Sequence, residues 1–400
     1  MKILVVHNHY QQFGGEDAVV QLECALHKKY GQDVYIFERS NHEIHKASWS
    51  KIGRNLFQMH WRKETFDEIV QVIKNFKPDI AHIYNTHFMI TPSVYYACHA
   101  SGVPTVQSLY NYRLICANAL LLRDGHYCEE CLHHSRWRSV LYRCYRDSSF
   151  LTACVVKSQN LHWRRGTWLH QIDSYITANQ YSREKFVQAG IARDKFYIKP
   201  HFVYPDPTLR TQMGDYALYV GRLSEEKGVR VLLNAWETLP EIPLKVLGTG
   251  PLLVELRQWV QSKKMDHVEI LGYRPDQEFL QYLGGAKFLI MPSISQDNSP
   301  RTILEAYARG VPVLASSLEG IKEMLQDEGT GRIFEAGDIE DLRAKARWLA
   351  KDDERLKRMG KLARMEYEGK YTAEKNYEIL MNIYQQTLER FKRKTANAKE

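Results

Sequence analysis

Pro292-Ser-Ile-Ser-Gln-Asp-Asn-Ser-Pro-Arg-Thr-Ile-Leu-Glu-Ala-Tyr-Ala-Arg-Gly-Val-Pro312 is the stretch on which the fold turns. It follows an apolar run, Phe288–Pro292, and leads into another, Pro312–Ser316. Between them, Ser299 suits an N-cap, Pro300 the first helical position and Gly310 the C-terminal cap. A strand, a loop, a short helix and a strand in that order form the repeating unit of a parallel α/β sheet. The amides of Arg301 and Thr302 would be orphan donors at the positive end of that helix, a ready phosphate site. Two carboxylates, Asp297 and Glu305, stand eight positions apart across the helix start. Glu305 could accept hydrogen bonds from sugar hydroxyls beside a bound anion. The plainer reading is a capped helix with an Arg301–Glu305 surface pair, worth only about 0.2–0.5 kcal/mol.

The same alternation extends in both directions. The first half offers strands at Lys2–His7, Asp33–Glu38, Asp79–Tyr84, Pro104–Tyr110, Ser174–Ala178 and Phe196–Lys199. The second offers Ala217–Gly221, Leu244–Gly248, Val268–Leu271, Phe288–Pro292, Pro312–Ser316 and Gly331–Phe334. A chain of 400 residues favours two cores over one. The proline-rich connector Lys199–Pro207 separates them. The expected organisation is an N-terminal domain over 1–203, a C-terminal domain over 204–371 and a closing helix over 372–400. An insertion of about 113–168 interrupts the first domain. Each domain is expected to be a doubly wound parallel sheet, the two facing a central cleft, with ligands beyond the carboxyl ends of the strands.

Bulk properties narrow the function. Apolar content of 44% and charged content of 26% are those of a globular protein. No apolar run is long enough to span a bilayer, and Met1–His7 reads as a strand rather than a leader. The expected location is therefore cytoplasmic, extending to the inner face of the membrane. Residues 1–200 hold 25 Lys and Arg against 17 Asp and Glu, whereas residues 201–400 hold 30 of each. The whole net charge of +8 thus belongs to the N-terminal half, where an anionic partner such as a lipid would bind. No nucleic-acid motif accompanies this charge, so nucleic acid is not expected as a partner.

Three further motifs fall at strand ends. Gly14-Gly15 follows the first strand and opens a helix, where backbone can approach a phosphate closely. Arg222 ends the first strand of the second half and Lys227 begins the next helix, so the two could neutralise a departing diphosphate. A solvated loop with both cations paired to Glu225 and Glu226 is the alternative. Gly248-Thr-Gly250-Pro251 makes a tight turn at the next strand end.

Together these residues resemble glycosyltransferase family 4. The matching segments are Gly14-Gly15-Glu16, Gly221-Arg222-Leu223-Ser224-x-Glu226-Lys227-Gly228, Gly248-x-Gly250-Pro251 and the Asp297-to-Glu305 segment with its Gly310-x-Pro312 ending. The resemblance covers nearly the whole chain and extends to bacterial surface-polysaccharide glycosyltransferases. It implies a GT-B fold of two Rossmann-like domains and a retaining transfer that needs no catalytic metal. The donor would be a nucleotide-diphosphate sugar and the acceptor a glycan or a lipid-linked molecule. By position it implies that Arg222 and Lys227 hold the diphosphate, Glu305 the ribose and Asp297 the sugar hydroxyls. Gly15 beside Gly14, and the backbone around Ser299, Arg301 and Thr302, would offer amides to sugar and phosphate. Gly250 would line the same rim, Tyr273 and Arg274 would grip the base, and Tyr110 would stand where relatives carry a sugar-contacting histidine. The chain departs from the family at Asp297, one methylene shorter than the usual glutamate, and at Tyr110.

Two features lie outside that pattern. Cys116, Cys128, Cys131 and Cys144 include one C-x-x-C and suit a structural zinc that orders the insertion, with reduced thiols or a redox pair as alternatives. The stretch Arg136–Trp168 interleaves arginines with aromatic residues, which suits a peripheral membrane contact unless the rings pack inward. Other functions compatible with the same residues are a nucleotide-sugar epimerase, a glycosyl phosphorylase and a non-catalytic sugar-nucleotide scaffold.

Overall fold

Every run read as a strand forms one, with ends shifted by no more than two residues. The structure is a computed structural model that describes residues 1–11, 14–45, 58–296 and 299–397. In chain order the strands are β1 (Lys2–His9), β2 (Asp33–Ser40), β3 (Ile80–Ile83), β4 (Thr105–Leu109), β5 (Leu122–Arg123), β6 (His126–Tyr127), β7 (Ser174–Thr177) and β8 (Phe196–Ile198). They continue with β9 (Tyr216–Val220), β10 (Leu244–Leu247), β11 (Val268–Gly272), β12 (Ala286–Met291), β13 (Val313–Ser316) and β14 (Gly331–Phe334).

The chain divides between Lys199 and Pro200, and residues 377–400 return to the N-terminal unit. That unit has a parallel sheet in the order β2-β1-β3-β4-β7-β8. The C-terminal unit has the order β11-β10-β9-β12-β13-β14, the Rossmann order 3-2-1-4-5-6 counted within the unit. Both are doubly wound and all parallel, so their strands are covered on both faces. Ile3, Leu4, Val5 and Val6 of β1 are accordingly fully buried in succession.

The closing helix Ala373–Asn397 inserts Leu380, Ile383 and Tyr384 into the core of the N-terminal unit, beside Ile3, Val5 and Ile80. Burying such side chains stabilises by roughly 1.5–3 kcal/mol each. The same unit holds a fully buried ion pair, Lys199 Nζ to Glu23 Oε1 at 2.7 Å. Tyr84 donates to the same carboxylate at 2.6 Å. Burial alone would raise the Glu23 pKa, but the charge of Lys199, with that of His82 and the hydrogen bonds from Lys199 and Tyr84, together outweighs it and holds the group at about 2.

Two local readings need correction. The insertion contains a hairpin that was not anticipated, β5–β6, turning at Asp124 and Gly125, both at positive φ. That is the two-residue turn an Asp-Gly pair favours. The helix after β12 begins at Arg301, so its N-cap is Pro300, not Ser299. Pro300 sits in extended backbone with ψ 115°, and the buried Ser299 hydroxyl lies instead 3.8 Å from the Met324 sulfur. Gly310 is the left-handed C-cap, as expected.

Candidate functional site

In the C-terminal unit, strand order reverses between β9 and β12, and the glycine motifs gather at the carboxyl ends of these strands and their neighbours. Each glycine permits a backbone-to-backbone approach. A Cβ on Gly248 would lie 1.8 Å from the Gly221 carbonyl oxygen, and one on Gly250 would lie 2.3 Å from that of Leu223. One on Gly228, at φ 67°, would meet the Pro292 carbonyl oxygen. The loops are then laced by backbone bonds from Leu223 to Thr249 (2.9 Å), Gly248 to Gly272 (2.9 Å) and Ile294 to Glu226 (3.0 Å). The motif glycines therefore build the rim on which the charged residues stand.

Arg222 is exposed just beyond β9. The carboxylates that could have neutralised it are engaged elsewhere: Glu225 pairs with Arg230, and Glu226 accepts from the Ser224 hydroxyl at 2.6 Å. Lys227 is half-buried at the end of the 3-10 turn Glu225–Lys227. Gly250 closes the β10 turn, while Tyr273 and Arg274 follow β11, with the Tyr273 ring two-thirds exposed. Thr302, on the first turn of Arg301–Arg309, places its hydroxyl 3.3 Å from the Met291 sulfur. The first amides of that helix have no intrahelical acceptor. Asp297, expected to bind the donor sugar, lies outside the described residues.

Glu305 is paired with Arg301 Nη2 at 3.0 Å, so the plain i, i+4 pair does exist. The pair is not a solvated surface one, since only 13% of the Glu305 side chain is exposed. Burial raises its pKa, and the charge of Asp276 adds to the rise, while Arg301 opposes it. A desolvated carboxylate held by one cation is poised to accept further hydroxyl donors. The Ser293 hydroxyl, just beyond β12, is buried without a partner among the described residues.

In the N-terminal unit the reversal falls between β1 and β3. Gly14 is the N-cap of Gly15–Lys29, and its amide donates to the Asp17 carboxylate at 2.9 Å. That carboxylate also meets His7 Nε2 at 2.8 Å and His9 Nδ1 at 3.2 Å. Burial would raise the Asp17 pKa, but these hydrogen bonds hold it low. Among the described residues, His7, His9 and Asp17 form the one group whose potential metal-ligand atoms lie within 4.8 Å of one another. A Cβ on Gly15 would meet open space. Asp17 was missed in the sequence although its spacing, three residues after Gly14, is that of a capping box.

A pocket opens beside this loop at the ends of β3 and β4, lined by Glu16, His87, Phe88, Tyr110, Asn111 and Gln159 among others. Glu16 accepts from Tyr10 at 2.7 Å and Asn111 at 3.3 Å, and burial raises its pKa. Tyr110, half-buried, donates to Glu23 at 3.4 Å, and burial pushes its pKa well up, so it acts here as a neutral hydroxyl. Cys116 is buried, and Cys131 and Cys144 are half-buried in this unit. Burial, then the neighbouring Cys116, push the Cys131 thiol up to about 11. Cys128, half-buried, closes the segment Leu121–Cys128 that groups with the C-terminal unit.

Comparison with known proteins agrees with this geometry. Residues 205–366 match the family model described as glycosyl transferases group 1. The sulfoquinovosyl transferase SQD2 of Arabidopsis thaliana is 25% identical over 307 residues, which are 75% of this chain and 55% of that protein. The amylovoran biosynthesis glycosyltransferase AmsK of Erwinia amylovora is 29% identical over 165 residues, 39% of each chain. An uncharacterized glycosyltransferase of Methanocaldococcus jannaschii is 27% identical over 175 residues, 43% of this chain and 49% of its own. The chain thus spans about half the length of these curated relatives.

Among solved structures, the lipopolysaccharide outer core galactosyltransferase WaaB superposes with a TM-score of 0.65 at 15% identity, covering 96% of this chain and 99% of its own. The Anabaena protein HepE, in complex with UDP-glucose, gives 0.65 at 16% identity, covering 97% and 98%. The fold is GT-B, and the chain resembles the glycosyltransferases of bacterial surface polysaccharides.

Proposed function

We propose that the protein is a retaining glycosyltransferase, independent of a catalytic metal, that moves a sugar from a nucleotide-diphosphate sugar to a glycan or lipid-linked acceptor in polysaccharide biosynthesis. The observation that carries the reading is the rim of the C-terminal unit. It places an exposed Arg222 not neutralised by Glu225 or Glu226, a glycine-laced turn, a helix start and a desolvated Glu305 at the switch point of a Rossmann sheet. Arg222 and Lys227 would take the diphosphate, Glu305 the ribose, and the amides at Arg301 and Thr302 the phosphate and sugar. Asp297 would bind the sugar hydroxyls. The neighbour HepE is solved with UDP and with UDP-glucose, which supports a donor of this chemical class.

The pocket of the N-terminal unit would take the acceptor, with Glu16 and Asn111 offering polar contacts and Phe88 an apolar wall. Front-face attack would let the leaving diphosphate receive the acceptor's proton, while the protein positions the reactants and stabilises charge. We further propose a cytoplasmic protein in peripheral membrane contact through its basic N-terminal half; the sulfurs of Cys116, Cys128, Cys131 and Cys144 are not gathered to metal-ligand distance among the described residues, so no zinc is proposed on them. The donor site is tested by ligand-observed NMR against a panel of nucleotide sugars, using the native chain, Arg222→Ala and Glu305→Ala. Binding of one or two donors that is lost in both variants is the expected result. A folded native chain that binds no nucleotide overturns the assignment.

A further inference from the structure

Residues 136–165 contain seven Arg and Lys against one carboxylate, Asp147, so this short stretch carries +6 of the chain's net +8. It also contains a run of outward-facing apolar side chains. Leu141 is 80% exposed, Phe150 68%, Tyr142 49% and Trp137 47%. These are not residues that have simply failed to find a core, because their chain neighbours have one. Val140, Cys144 and Tyr145 pack on the cluster of Met59, Phe88, Val155 and Val156. The helices Arg138–Leu141 and Ser149–Arg164 lie against each other. On the longer one, Thr152, Val155, Val156 and Gln159 point inward, while Phe150, Lys157 and Arg164 recur every seven residues on the exposed side.

Two further rings of the stretch read from the sequence, Trp163 and Trp168, face inward. The Trp163 indole donates to the Leu114 carbonyl at 2.8 Å with Arg136 over its ring, and Trp168 is buried. The outward set is therefore Trp137, Leu141, Tyr142 and Phe150, accompanied by exposed Arg143, Arg146, Lys157, Arg164 and Arg165.

We propose that this face docks on the anionic surface of a lipid bilayer, with Leu141 and Phe150 entering beneath the headgroups and the cations lying on lipid phosphates. The inference names the surface for the membrane contact proposed above and rests on that reading. Amphipathic aromatic side chains with a cationic surround match the headgroup layer, where apolar burial and attraction to anionic lipid act together. A second protein copy does not match, because two such faces would oppose six positive charges each. A nucleic acid would meet the cations but would leave the exposed leucine and phenylalanine without an apolar partner.

The test is co-sedimentation of the full chain with vesicles of phosphatidylglycerol and phosphatidylcholine, or of phosphatidylcholine alone, at low and high salt. Leu141→Ser/Phe150→Ser and Lys157→Glu/Arg164→Glu variants are compared with the native chain, and nucleotide binding is measured on the same samples. Binding to the anionic vesicles only, weakened by salt and at least tenfold weaker in both variants with nucleotide binding intact, is the expected result. Equal binding to both vesicle types, unchanged binding by either variant, or binding to duplex DNA but not to vesicles overturns the proposal. Nucleotide binding without vesicle binding refutes this surface alone. Vesicle binding without nucleotide binding refutes the transferase reading and leaves the surface standing.

Discussion

Replacing Lys199 by Met should destabilise the N-terminal unit strongly, and by an amount that depends on pH in a defined sense. Both members of the Lys199–Glu23 pair are fully buried, 2.7 Å apart. Glu23 titrates at about 2 against an ordinary 4.5, and at roughly 1.4 kcal/mol per pH unit this is about 3 kcal/mol of favourable interaction. Removing one partner of a buried pair generally costs about 3–5 kcal/mol, because the survivor keeps its desolvation cost. The folded-state pKa of Glu23 is depressed, so the pair's contribution is complete above the unfolded value near 4.5 and fades as pH falls toward 2. In the Met variant the unpaired carboxyl must take a proton to stay buried, a burden at pH 7 that acid relieves. Urea unfolding followed by circular dichroism should therefore show a difference of about 3–5 kcal/mol at pH 7.5 and a smaller one at pH 5. Lys199→Met/Glu23→Gln should recover much of the loss, since Tyr84 can still bond the amide. A difference below about 1 kcal/mol, or one that does not change with pH, would refute the argument that the pair's charge is what matters.

Three other outcomes follow from the sites. Gly250→Ala should unfold or distort the C-terminal unit, because its Cβ would meet the Leu223 carbonyl oxygen, whereas Gly15→Ala has open space and should keep its melting temperature; thermal unfolding separates them. Glu305→Gln should fold normally yet bind nucleotide about tenfold or more weakly, the usual size of a lost charge-assisted hydrogen bond. Because burial raises the Glu305 pKa, nucleotide affinity of the native chain should fall on acidification with a midpoint above 4.5, a step the Gln variant lacks in a titration by calorimetry.

Much of this protein was legible in its sequence because the determining signals are local. Runs such as Ile3–Val6 and Phe288–Met291 are apolar enough to be buried on both faces, and glycine, proline and Asx residues mark where such strands stop. That alone dictated parallel sheets, their strand ends and therefore the positions of Arg222, Gly250 and Glu305. The cap at Pro300 was misplaced by one residue because a serine before a proline fits two helix starts, and only the backbone angle at Pro300 separates them.

What the tertiary structure alone decided concerns partners distant in sequence. No periodicity reveals that Glu23 meets Lys199, 176 positions away, or that Tyr384 of the last helix meets His82 in β3. The glycines illustrate the difference. The sequence marked them as turns, but the reason an alanine cannot replace Gly250 is a carbonyl oxygen from another loop. The same holds for the arginine-rich segment, where composition set the charge but packing decided that Trp163 turns inward and Leu141 and Phe150 outward. Local preference fixes where strands and helices begin, whereas burial is a property of the assembled surface, so which side chain a ligand or membrane can reach is settled only once the elements within each unit have packed.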